Sequence, residues 1–272
     1  MTDHPQQTPA LACDCHVHVY EPQRFPLSAA APLATWSDYQ QVQARLGLQR
    51  AVLVQPVGYG FDNACLLDAL SQAGPAARGI AVIKPDISEQ HLSELHEAGV
   101  RGVRFMMIKG AGGALPWDAL EPIAARIAEF GWVINLQLDG RELPEYESRL
   151  QALPGSLSID HIGKFLEPVD TGHAGFQSLL RLLDRGKTWV KVSAPYETSK
   201  LGAPHYDDVS VLAKALVQAH AERCLWASNW PHPGRNPQPD DAAMLDLLTY
   251  WAPQASVRRQ ILVDNPVTLY GF

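Results

Sequence analysis

Leu11-Ala12-Cys13-Asp14-Cys15-His16-Val17-His18-Val19 is an apolar run that closes on two histidines one residue apart. On an extended strand residues two apart share a face, so His16 and His18 can converge on one ligand or one ion. A dinucleotide-binding sheet would follow its first strand with a glycine-rich turn, and no G-x-G-x-x-G stands here. Seven further short runs follow at 50–56, 78–84, 100–106, 132–138, 157–163, 188–194 and 224–230. Most are continuous rather than alternating and rich in Val, Ile and Leu, as strands covered on both faces are. Between them, 63–72, 88–98, 118–130 and 207–221 carry apolar residues at three- and four-residue intervals. An Asp, Ser or Asn near each start suits the first-turn cap, and Gly99 and Gly131 suit C-terminal caps. Eight strands alternating with helices predict an α/β fold, a closed (β/α)8 TIM barrel rather than an open doubly wound sheet.

The 272 residues are 46% hydrophobic, enough for one large core, so a single domain over 1–272 is expected, with 1–10 a flexible tail. A net charge of -7 without a basic stripe argues against nucleic acid as a partner. No apolar stretch nears the roughly 20 residues that span a bilayer, so no membrane is expected. The first ten residues lack an apolar signal core, which predicts a cytoplasmic protein. Cys13, Cys15, Cys65 and Cys224 read as small buried hydrophobes rather than a disulfide framework. Nothing in the sequence indicates an oligomeric state.

Active sites of such barrels sit at the carboxyl ends of the strands. Those ends offer His16 and His18, then Gln55, Arg104, Gln137 with Asp139, Asp160 with His161, Lys191 with Ser193, and Asn229 followed by His232. Arg104 is the first choice for a substrate carboxylate, because a guanidinium clamps one in two bonds. Lys164 and Lys191, with Lys109, are secondary cations. Gln55, Gln137 and Tyr196 suit hydroxyl groups, and Asp139 either does the same or ties down a cation. Tyr20, Tyr59 and Trp230 are candidate wall residues, Trp230 more simply a packing residue. His4, His91, His96, His173, His205 and His220 lie in the tail, helices or loops and read as non-catalytic.

The opening H-V-H, the D-H-I-G-K at 160–164 and the S-N-W-P-H-P at 228–233 together resemble the amidohydrolase superfamily. More narrowly they resemble its lactone-processing branch, which holds pyrone-dicarboxylate and sugar-acid lactonases and galactarolactone isomerase. Lys164-Phe165, Tyr196-Glu197-Thr198-Ser199 and Asn229-Trp230-Pro231-His232 lie nearest the isomerase pattern. The likeness runs from the first strand to Asp264-Asn265-Pro266. It implies the distorted barrel of that superfamily and a small-molecule lactone or carboxylate substrate.

Metal-dependent members carry further ligands on strands four or five and an aspartate on strand eight. Here those places hold Arg104, Gln137, Asp139 and Asn229. The resemblance implies that no metal is required; His16, His18 and His161 alone suit at most weak divalent binding. In the hydrolytic relatives the strand-eight aspartate is the base that activates water, a role Asn229 cannot take. Two enzymatic readings remain open. In one, a hydroxyl of a polyhydroxy or dicarboxylic sugar-acid lactone attacks its own carbonyl, a 1,5- to 1,4-lactone isomerisation. In the other, water attacks with His161 or His232 as base, and the protein is a hydrolytic lactonase. An inactive lactone-binding protein is a third reading. His16 and His18 are the candidate donors to the carbonyl oxygen.

Overall fold

The computed structural model describes residues 8–27 and 31–272. Residues 1–7 of the expected tail and residues 28–30 lie outside them. Eight parallel strands pair in sequence order: β1 (Cys13–Val17), β2 (Arg50–Val54), β3 (Ala77–Ala81), β4 (Val100–Met106), β5 (Val133–Gln137), β6 (Ser156–Ile159), β7 (Thr188–Ser193) and β8 (Cys224–Ala227). Each is followed by a helix, beginning with α1 (Trp36–Leu46) after β1 and ending with α8 (Asp241–Trp251) after β8. The sheet closes because the chain beyond β8 returns to β1. The Asn229 amide donates to the His16 carbonyl at 3.0 Å, and the His18 amide donates to the Trp230 carbonyl at 2.8 Å. At this seam the Asp14 carboxylate takes the Ser228 and His16 amides on Oδ1 (2.9 and 3.2 Å) and the Tyr39 hydroxyl of α1 on Oδ2 (2.9 Å). This is a (β/α)8 barrel, as the strand count predicts.

The sides of the strands sort by burial partner. Alternate residues such as Leu53, Leu136 and Val192 pack against the helices, while Cys13, Cys15, Val52, Val133, Trp189 and Leu225 fill the lower interior with Leu269 and Tyr270. All four cysteines are free and buried. Above that plug the inward positions turn polar: Asn135 and Gln137 on β5, Lys191 and Ser193 on β7, Arg104 on β4. β1 reaches the polar zone by a register shift between Asp14 and Val17. Cys15 packs in the interior plug, yet its neighbour His16 also faces inward, and Val17 returns to the helix side. A bulge of this kind re-aims a side chain next to a site.

Strand ends differ from the sequence expectation in an instructive way. β4 has the expected bounds, but β6 stops at Ile159 and β8 at Ala227. His161 (φ 54°) and Asn229 (φ 65°) therefore lie in the following turns, with left-handed backbone. That conformation ends the ladder and turns the chain over the barrel mouth. Helix caps also differ. Ser88 caps α3 (Glu89–Glu97) through the His91 amide, whereas the Asn63 side chain is spent on both backbone groups of Val82. Asp62 takes the Ala64 amide in its place. Asp118 sits in a single 3-10 turn, and α4 (Leu120–Ala128) starts without a side-chain cap. No described helix is long and apolar enough to cross a membrane.

Candidate active site

The strands bring four groups to one buried cluster. Lys191 Nζ lies 3.0 Å from Asp160 Oδ1 and 3.0 Å from His16 Nδ1, and also donates to Asn135 Oδ1. Asn135 Nδ2 donates to Asp160 Oδ2 at 3.0 Å. Burial works against the Asp160 carboxylate, but Lys191 beside it, then His16, hold it well below the usual carboxylate range. Burial, and then the Lys191 charge, keep His16 neutral with its pKa far below the ordinary value.

Hydrogen bonding assigns the histidine protons. The Val54 carbonyl can only accept, so His18 Nδ1, at 2.8 Å, carries the hydrogen. Burial, followed by the Arg104 charge, lowers His18 to about 3, so its Nε2 is bare. His16 Nε2 must then donate to His18 Nε2 at 3.2 Å, which leaves His16 Nδ1 to accept from Lys191. The donors run in one direction from Lys191 through His16 to His18. His161 stands beside them, ring centroid 4.8 Å from His16, with Nδ1 held 2.8 Å from Ser193 Oγ. Burial lowers it well below its ordinary range, so it too is a neutral imidazole.

A second chain fixes Asn229. Its Nδ2 donates to Tyr196 Oη (3.0 Å) and Glu197 Oε1 (3.1 Å). Tyr196 passes its own hydrogen to His232 Nδ1 at 2.8 Å, and His232 Nε2 donates to Asp241 Oδ1 at 2.9 Å. With both amide hydrogens engaged, Oδ1 is the atom Asn229 can offer a substrate.

A cavity of about 370 Å³ opens above these groups, within the range of small-molecule sites. His18, His161, Asn229, Arg104, Gln137 and Lys164, six of the residues singled out at the strand ends and in the motifs, line it together with Tyr20. Arg104 is buried, gives Nη1 to the Gln55 carbonyl at 2.6 Å and Nη2 to Gln137 Oε1 at 3.4 Å, and has no partner for Nε. Burial lowers its pKa below the usual arginine value. Lys164 pairs with Glu197, and burial pushes its ammonium down to about 8.

Other predicted residues sit behind the wall. His16 and Lys191 are fully buried beneath His18, outside the cavity lining. Gln55 gives its amide to the Asp62 carbonyl at 2.6 Å and pins the loop after β2 rather than facing a substrate. Tyr196 and His232 back Asn229 without lining the cavity, and both nitrogens of His232 are committed, which removes it as a base. His16 and His18 also do not serve as oxyanion donors in this arrangement, because both of their N–H groups are used internally, His16 Nε2–H on His18 and His18 Nδ1–H on the Val54 carbonyl. Asp139 ties down a cation, Arg141, at 2.6 Å; Lys109 is exposed beside Glu142. Trp230 packs on Tyr39, and Tyr59 stacks on Tyr20.

Sequence reasoning gave no role to three residues that matter here. Asn135 had a readable signal, a polar residue two before Gln137 within an apolar strand. Asp14 shares a strand with the histidines, but its partners come from α1 and the β8 loop. Glu197, the one carboxylate among the described lining residues, lies in a turn with no periodic pattern to place it.

His16, Asp160 and His161 offer ligand atoms within 4.8 Å of one another. They do not fit a resident divalent ion. The single carboxylate already faces an ammonium at 3.0 Å, His16 Nδ1 is occupied by the same ammonium, and an added ion would meet that charge at close range in a buried site.

An amidohydrolase family model matches residues 13–272. The chain is 35% identical to a "2-pyrone-4,6-dicarbaxylate hydrolase" of Comamonas testosteroni, over 96% of this chain and 90% of that protein. It is 31% identical to a D-galactarolactone isomerase of Agrobacterium fabrum, over 96% and 91%. The crystal structure of an Agrobacterium tumefaciens protein in the apo state superposes with a TM-score of 0.91 at 30% identity, over 98% of both chains. With its barrel, its paired histidines and this match over nearly its whole length, the chain belongs to the amidohydrolase family and is an enzyme of that superfamily.

Proposed function

We propose that the protein isomerises a lactone of a polyhydroxy or dicarboxylic sugar acid by intramolecular acyl transfer, of the 1,5- to 1,4-lactone type, without a metal. The observation that carries this reading is Asn229. It stands at the cavity wall with its amide hydrogens locked onto Tyr196 and Glu197, so its Oδ1 can orient a hydroxyl but cannot remove a proton from water. A substrate hydroxyl is already positioned, and proximity replaces part of the activation that a water nucleophile needs (roughly 7–11 kcal/mol in the best cases).

In this mechanism Arg104 holds the substrate carboxylate. The Ser193 hydroxyl donates to the Lys191 carbonyl at 3.5 Å and accepts from His161 Nδ1, which leaves His161 Nε2 bare. The attacking hydroxyl, oriented by Asn229 Oδ1, gives its proton to that Nε2 as the new C–O bond forms. The old ring C–O bond then breaks and His161 returns the proton to the departing oxygen, so the reaction consumes no water and no net proton. Gln137 Nε2, whose Oε1 faces Arg104, and the Arg104 charge stabilise the tetrahedral oxyanion. Lys191 and Asp160 hold His16, and through it His18, in fixed tautomers.

Hydrolysis is the second reading, favoured by the 35% identity to a hydrolase and by a His161 that could equally deprotonate water. NMR of an aldaric acid 1,5-lactone with metal-stripped enzyme separates the two. Appearance of the 1,4-lactone before any open-chain acid is the expected result; direct formation of the acid replaces isomerisation with hydrolysis.

A further inference from the structure

The charges facing the cavity can be counted. Arg104 and Lys164 are the cations and Glu197 the carboxylate among the described lining residues. Glu197 is paired with Lys164, and both side chains are only 12–13% exposed, so the pair is largely withdrawn from water. Arg104 meets only neutral acceptors, the Gln55 carbonyl and Gln137. Below the floor, Lys191 and Asp160 cancel one another. Outside the lining, Arg235 donates to the Glu197 carbonyl and Lys109 faces Glu142 and solvent. The lining itself therefore presents one unbalanced positive charge, not two, and the charge of Arg235 stays outside it, exposed to solvent.

We infer that Glu197 is a specificity-determining residue: by occupying Lys164 it limits the site to a lactone with one free carboxylate, bound at Arg104, and excludes a lactone with two. This rests on the lactone reading above and narrows it. A second carboxylate would have to displace Glu197 from Lys164, and would leave Glu197 as an unpaired, largely buried charge beside it. Closing one end of a dicarboxylic sugar acid into a lactone leaves one carboxylate, which matches the count. Its hydroxyls suit a wall where the Glu197 carboxylate and Asn229 Oδ1 accept hydrogen bonds.

The test is equilibrium binding by calorimetry of two probes with the same ring, 2-pyrone-6-carboxylate and 2-pyrone-4,6-dicarboxylate. Wild-type protein is expected to bind the monocarboxylate at least tenfold more tightly. Glu197→Gln, which keeps the shape and the hydrogen bond to Asn229 while freeing Lys164, is expected to shrink or reverse that ratio by tenfold or more. Equal or tighter binding of the dicarboxylate by the wild type overturns the inference while leaving the lactone reading intact. So does an unchanged ratio in a folded Glu197→Gln protein. If that variant does not fold, the wild-type ratio still decides. Binding of neither probe overturns both the inference and the lactone reading, and a monocarboxylate preference without turnover supports the inference alone.

Discussion

A single atom separates two chemistries at position 229. An aspartate there would be a proton acceptor beside the cavity; the asparagine is a hydrogen-bonded strut whose orientation is set by Tyr196, His232 and Asp241 in series. Asn229→Asp should therefore introduce or increase lactone hydrolysis. Burial and the neighbouring Glu197 would raise the new carboxyl's pKa and make it a better base near neutrality. The measurement is the ratio of open-chain acid to rearranged lactone by NMR. A folded variant with unchanged or lower hydrolysis would show that position 229 does not decide the fate of water. Arg104 was readable from its place at a strand end, and so were His18 and His161. The roles of His16 and Lys191 were not, because which histidine faces the substrate depends on a proton chain between residues 175 positions apart.

At the scale of elements, the seam between β8 and β1 and the turn after β6 do the positioning. Asp14 satisfies two backbone amides and a tyrosine hydroxyl where β1 bulges, all in fully buried surroundings. Asp14→Ala leaves those donors unpaired and should destabilise the protein by about 2–5 kcal/mol. Asp14→Asn, which keeps an acceptor for the amides, should cost clearly less. Urea unfolding checks the order, and equal losses would mean that the charge of the carboxylate, or the acceptor it gives the Tyr39 hydroxyl, matters more than its bonds to the two amides. After β6, four consecutive residues from His161 to Lys164 have positive φ. Gly163 (φ 85°) leaves no room for a side chain, since a Cβ there would come within 2.8 Å of the Phe165 ring. The G of the D-H-I-G-K motif thus serves the turn that brings both His161 and Lys164 to the cavity wall. The sequence placed this motif on a strand because its apolar spacing continues past Ile159, and only the backbone conformation ends the strand there.

Across the whole molecule, the buried site makes stability depend on pH. His16, His18 and His161 are held neutral, with folded pKa values below the ordinary 6.5 and His18 near 3. The unfolded chain takes up protons at those three positions as pH falls through 6.5, and the folded chain does not, so their contribution is full above pH 6.5 and is lost below it. Asp14 runs the other way: burial raises it to about 6, so between pH 6 and 4 the folded state holds a proton the unfolded chain lacks. The three histidines outweigh Asp14, so the net slope is a loss of stability as pH falls below 6.5. Urea unfolding at pH 7.5, 6 and 5 should show this slope, reduced by about one proton in His18→Gln. Stability that is flat down to pH 5 would mean that the histidines are charged in the folded protein.

The sequence alone determined the barrel, its strand order and most of the polar residues that line the cavity. Period and composition report burial on two faces, and residues at strand ends are drawn to one mouth by the topology. Tertiary structure alone decided which of those residues reach the substrate and which stand behind them. It set the inward turn of His16 at a bulge, the commitment of every hydrogen on His16, His18 and His232, and the pairing of Glu197 with Lys164. These depend on contacts between elements far apart in the chain, where local pattern carries no information about which partner a buried polar group will find.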